Sequence, residues 1–205
     1  MRRQRGFTLI EVLLATLLLA SAIAVTAASV RGIARAQQRS EAALAESGAR
    51  NAVQAWLRAR IGAALPVAFN DASQGRVLFI GRRDRMEFVT ELPPYPTLTG
   101  PVRQVIEAQS AGASGYLICV SQALPDAATP VCSADEKSTL VRGLSRVEFR
   151  YRGRDEAGRA GPWLPEWKRG DILPEWVEVR MEPPVDAPSW PQLVVHIPVA
   201  INPAP

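Results

Sequence analysis

A lone carboxylate, Glu11, sits inside an otherwise uncharged apolar run, Phe7–Val30. In lipid such a group costs about 2.5–3.5 kcal/mol at mid-bilayer and less near the interface. A residue kept at that cost needs a cation to face, so Glu11 is the first candidate for function. The second is a pair of cysteines, Cys119 and Cys132, with 12 residues between them. In an oxidising compartment they read as a disulfide closing the intervening loop, a closure that the chain-entropy model values at about 3 kcal/mol. The alternative is a buried thiol at Cys119 and an exposed one at Cys132. The third is a rigid aromatic stretch, Trp163, Trp167 and Trp176, interleaved with Pro162, Pro165 and Pro174. Tryptophans held this way serve either as interface anchors or as core.

Other chemistry finds little support. His196, the chain's one histidine, alternates with aliphatic residues in Leu193–Ile197 and reads as an ordinary strand residue. With one histidine and no Cys-x2-Cys spacing, no zinc site is expected. Asp126, Asp135 and Glu136 gather around the cysteine loop, but their spacing fits no calcium loop and reads as a solvated acidic turn. There is no Gly-x-Ser-x-Gly elbow and no phosphate-binding glycine loop. Arg82, Arg83 and Arg85 form a basic cluster, which a solvated hairpin turn explains more simply than DNA binding. No enzyme activity, cofactor or metal is expected.

The elements that must position these residues begin with the leader. Met1–Gly6 carries Arg2, Arg3 and Arg5 and no acid. The following run, as a helix, spans about 36 Å at ~1.5 Å per residue, enough to cross a membrane core. Arginines on its N-terminal side place that end in the cytoplasm. A secretory signal would be shorter and end in a clear cleavage site, and a plain signal anchor leaves Glu11 unexplained. The formal net charge is +4, but only +1 remains beyond Gly6, so the basic balance is weak evidence for nucleic-acid binding.

Residues 31–65 continue as helix. They lack proline, are rich in Ala, Arg, Gln, Glu and Leu, and carry an apolar stripe at Val53, Trp56, Leu57 and Ile61. Gly32 and Gly48 are local weak points at which the helix could divide into two. From Arg76 onward the period changes to two. Strands are expected at Arg76–Gly81, Met86–Thr90, Val102–Ala108, Tyr116–Val120, Ser138–Val141, Val147–Tyr151, Trp176–Met181 and Leu193–Val199, with Pro198 marking an end or an edge. Alternation such as Glu148 and Arg150 between Val147, Phe149 and Tyr151 implies half-buried antiparallel pairing. The fold class is α+β: a long N-terminal helix, membrane-spanning in its first half, packed on an antiparallel sheet head. The expected divisions are a leader at 1–6, a membrane segment at 7–30 and a head at 31–205.

The junction Gly6-Phe7-Thr8-Leu9-Ile10-Glu11-Val12-Leu13-Leu14-Ala15 resembles the type IV pilin and type II secretion pseudopilin superfamily. The resemblance implies cleavage after Gly6 by a prepilin peptidase, methylation of the Phe7 amino group, and a pairing of Glu11 with a neighbouring subunit's N-terminal ammonium. Further along, Phe79-Ile80-Gly81, Met86–Thr90, Val147–Tyr151, Trp163-x3-Trp167 and the strand after Leu173-Pro174 are similar to the minor pseudopilin J branch. Leu117-Ile118-Cys119-Val120 departs from that branch's pattern, so the hairpin there is expected to differ. Membership implies an inner-membrane protein with its head in the periplasm. It also implies minor pseudopilins I and K as partners at a pseudopilus tip and contact with secreted cargo. A type IV pilus minor pilin, with an adhesive or DNA-binding head, shares the same N-terminus and is the alternative.

Overall fold

A computed structural model describes residues 9–95, 98–132, 138–155 and 157–198. One helix, α1 (Leu9–Gly62), runs through both Gly32 and Gly48 without a break and stops before the first proline, Pro66. Strands β1 (Ala64–Leu65), β2 (Phe69–Asp71), β3 (Gly75–Val77), β4 (Phe79–Gly81), β5 (Arg85–Tyr95) and β6 (Leu98–Ser110) follow. Then come β7 (Tyr116–Ala123), β8 (Thr139–Leu144), β9 (Arg146–Arg152), β10 (Trp176–Glu182) and β11 (Leu193–His196). The chain divides into two compact units, Met1–Ala49 and Arg50–Pro205.

In the first unit, the window Leu9–Thr26 is long and apolar enough to cross a membrane. Among the described residues of this window the large apolar side chains Leu9, Ile10, Leu13, Leu14 and Leu17 are exposed. The hydroxyls of Thr16, Ser21, Thr26 and Ser29 donate to the carbonyls of Leu13, Leu18, Ala22 and Val25. These four hydroxyls are thus satisfied within the helix, which lowers their cost in lipid.

The second unit is a head of two main sheets and a separate two-stranded hairpin, and the α+β reading holds. The larger sheet has the order β1-β5-β6-β7-β8, with β4 also on β5, and the smaller the order β11-β10-β9, each pair antiparallel. Their inner faces share one core. Phe88, Ile106 and Ile118 come from the larger sheet, Phe149, Val179 and Val195 from the smaller, and Leu57 and Ile61 from the end of α1. Each fully buried aliphatic side chain there is worth about 1.5–3 kcal/mol. Phe79 stacks on Phe88 at 5.9 Å and meets Tyr151 edge-on at 5.6 Å, geometries that add to plain burial.

The larger sheet also buries its second face. The β2–β3 hairpin lays Phe69 and Val77 against Ile80 and Val89. Beside them Arg103, with no exposed side-chain surface, bonds through Nε at 2.9 Å to Glu87 Oε2 and through Nη1 at 3.0 Å to Asn70 O. Its guanidinium lies 4.5 Å from the Phe69 ring centre. Arg85 closes the network at 2.8 Å from Glu87 and 2.5 Å from Glu107. Asp71 accepts from the Ser73 hydroxyl and from the N–H groups of Ser73 and Gln74, tying the hairpin turn. The Ser73 hydroxyl bond above all holds its carboxyl below the usual value.

Most expected strands are present, generally longer than the alternation alone marked them. Two findings differ. Arg76–Gly81 is not one strand: it breaks at Leu78, whose N–H leaves the sheet to donate at 2.6 Å to Gly170 O. Val199 lies outside the described residues, and the last strand stops at His196, short of Pro198, which has no N–H to continue the ladder. It forms an edge, along which Arg58 and Gln54 of α1 donate to the carbonyls of Val194 and Pro191.

Candidate assembly and interaction surfaces

Gly6 and Phe7 lie outside the described residues. Glu11 stands in the first turn of α1, exposed, with its neighbours Ile10 and Val12 also exposed. A carboxylate is favoured there by the positive end of the helix dipole. Among the described residues no cation lies within ion-pair distance of it. What the described segment offers is an apolar helix surface with one negative charge near its start.

The three tryptophans occupy different environments. Trp167 is buried at 7% exposure, its Nε1 donating at 2.9 Å to Ile172 O and its N–H to Gly81 O. It belongs to the core, not to a surface. Trp163 and Trp176 are half-buried and keep part of their rings at the outward face of the smaller sheet. Trp163 approaches Arg150 and Arg152, at 5.9 and 5.7 Å from ring centre to guanidinium carbon. Trp176 lies 4.5 Å from the His196 ring, whose Nε2 is 3.9 Å from Glu175 Oε1.

Cys119 and Cys132 are joined by a disulfide, with Cα atoms 5.9 Å apart. Both are buried with Leu117 in a small cluster, and Gln109 Nε2 donates at 3.2 Å to Cys132 O. The roots of the loop are fixed on the sheet while Leu124 and Val131 point outward, at 59% and 87% exposure. Asp126 is exposed on this loop, whereas Asp135 and Glu136 lie outside the described residues. Nearby, Trp56, Val120, Gln122 and Leu140 line a groove of about 480 Å³.

The turn arginines do not form one basic patch. Arg85 folds inward to Glu87 and Glu107, and Arg83 reaches Glu148 at 3.6 Å. The sequence does not single out the buried Arg103–Glu87 pair, since both residues sit at ordinary alternate positions. Their signal is the strict alternation itself: Glu87 and Arg103 flank Val89 and Val105 on a face that would be solvent were there no hairpin above it.

Comparison with known proteins adds three findings. Residues 1–27 match the model of the prokaryotic N-terminal methylation motif. Type II secretion system protein J of Xanthomonas campestris pv. campestris is 36% identical over 200 residues, covering 96% of this chain and 94% of that one. Among solved structures, a chain of the GspK–GspI–GspJ complex from the type 2 secretion system of enterotoxigenic Escherichia coli is similar. The TM-score is 0.47 and the identity 12%, over 72% of this chain and 92% of that one.

Proposed function

The chain belongs to the family of type II secretion system protein J, and on that premise we propose that it is a minor pseudopilin at the tip of the pseudopilus. The observation that carries this is the 36% identity along nearly the whole of both chains. The methylation motif alone, at residues 1–27, would fit any prepilin. Identity that continues through the head singles out one branch.

The mechanism follows from charge and burial. Arg2, Arg3 and Arg5 hold the leader in the cytoplasm while the apolar helix anchors the chain in the inner membrane and the head lies in the periplasm. A prepilin peptidase cuts after Gly6, and the new amino group of Phe7 is methylated. When the helix joins others in the filament, Glu11 faces the N-terminal ammonium of a neighbour. Neither charge is tolerable alone in the apolar bundle, and together they offset each other's desolvation. Pairing thus selects correct axial register during assembly. The head associates with the heads of minor pseudopilins I and K, and the tip so formed initiates the pseudopilus and meets secreted cargo. The role is structural, with no reaction catalysed.

Two variants test it. Gly6 replaced by a bulky residue leaves the leader uncut, read as a mass shift of the membrane-bound chain. Glu11→Ala is processed but fails to support assembly and secretion. Normal secretion with both variants would remove this account.

A further inference from the structure

The outward face of the smaller sheet carries a row of side chains with no part in the core. The register sets Arg152 opposite Trp176, and Trp176 opposite His196. Trp163, from the segment after β9, brings a second indole within cation–π reach of Arg152. Arg152 Nε donates at 2.8 Å to Gly161 O, which orients the guanidinium and leaves its two terminal nitrogens for something else.

Three carboxylates of this face are already taken. Glu178 is shared by Arg150 at 3.0 Å and Arg180 at 3.1 Å, with Gln192 as a further donor. Glu175 meets Arg154 at 2.6 Å, with His196 beyond. Glu148 is held between Arg146 and Arg83. Among the described residues no carboxylate reaches Arg152. Among the described residues of this face it is a cation without a carboxylate, already oriented and flanked by two half-buried tryptophans.

We infer that Arg152, Trp163 and Trp176 form a docking site for a carboxylate-bearing segment of a partner protein. A planar guanidinium donates two parallel hydrogen bonds to a carboxylate. Because its orientation is set beforehand, little rotamer freedom is lost on binding. Tryptophan and arginine are also the residue types on which interface energy concentrates. Leu164, 40% exposed, and the exposed Pro162 and Pro165 extend an apolar shoulder for the aliphatic part of the incoming segment. A nucleic acid is the poorer fit, because Glu148, Glu175 and Glu182 interleave with the bases and repel a run of phosphates. One acidic side chain needs only one cation. The inference rests on the assembly reading in taking the occupant to be a protein.

The test uses the full chain in detergent micelles with labelled tryptophan and arginine, observed by NMR. It is titrated with a capped glycine–glutamate peptide and with its glycine–glutamine counterpart. The glutamate peptide is expected to shift the Trp163 indole and Arg152 Nε–H signals, with affinity reduced at least about tenfold in Arg152→Gln. Trp163→Phe, which retains a smaller ring, weakens binding less. The Trp167 indole signal, bonded to Ile172 O, stays in place in each variant and reports an intact fold. No shift, equal affinity for the glutamine peptide, or undiminished binding by Arg152→Gln would overturn the inference. So would tighter binding of a single-stranded oligonucleotide at the same signals. Co-purification of the unaltered chain with other pseudopilins is measured separately, so a failed assembly reading is distinguishable from a failed docking site.

Discussion

Trp167 is seated only because two neighbours lack side chains. A Cβ at position 153 would stand 2.6 Å from its ring, and one at position 81 would stand 2.7 Å from the Tyr151 ring and 2.9 Å from Trp167 Cβ. Gly153→Ala is therefore expected to destabilise the head by about 1–3 kcal/mol in urea unfolding, whereas alanine at Gly48, with nothing nearby, costs no stability. Tyr151 gives a prediction with a sign. Burial, followed by the charge of Asp84, raises its phenol well above the ordinary value of 10.0, and its hydroxyl donates at 2.7 Å to Arg82 O. The unfolded chain therefore loses this proton first. Stability contributed by the neutral phenol is complete below about pH 10 and declines as pH rises toward the higher folded value. Tyr151→Phe is expected to lose about 1 kcal/mol at neutral pH through the missing hydrogen bond. It should also show a shallower alkaline decline, measured by denaturant midpoints across pH 9 to about 11.5. An unchanged alkaline slope would contradict the assignment.

The β2–β3 hairpin and the cysteine loop both depend on long-range anchors on the second face of the larger sheet. Glu87→Gln leaves Arg103 charged and buried, and should cost about 3–5 kcal/mol, with the hairpin amides exchanging first. Replacing Cys119 and Cys132 together by alanine should cost about 3 kcal/mol, read as a lower denaturant midpoint under oxidising conditions and no difference under reducing ones. Anchors of this kind explain what was readable in the chain. The alternation around Phe149 and Val179 marked β9 and β10 almost to their ends, because one face of each strand is core. The break at Leu78 was not readable, since its cause, the Gly170 carbonyl, lies far along the sequence. Arg85 looked like a turn residue for the same reason: its carboxylate partner Glu107 arrives from the next strand. Strands as short as Ala64–Leu65 leave no period to read.

Leu9–Thr26 exposes large apolar side chains and one carboxylate without a described partner, which suits a helix destined for lipid and then for a bundle. The membrane-crossing length of this helix was legible in the apolar run of the sequence. The head surface was less so: of three tryptophans in one aromatic stretch, Trp167 turned inward while Trp163 and Trp176 stayed at the outer face, a division that depends on tertiary packing. The central claim is that this chain is a tip subunit working with other pseudopilins. Its most direct test is co-purification of the full chain, in detergent, with minor pseudopilins I and K of the same apparatus. The account predicts a stable complex of fixed stoichiometry. Binding to neither, together with binding to DNA or a cell surface, would contradict it.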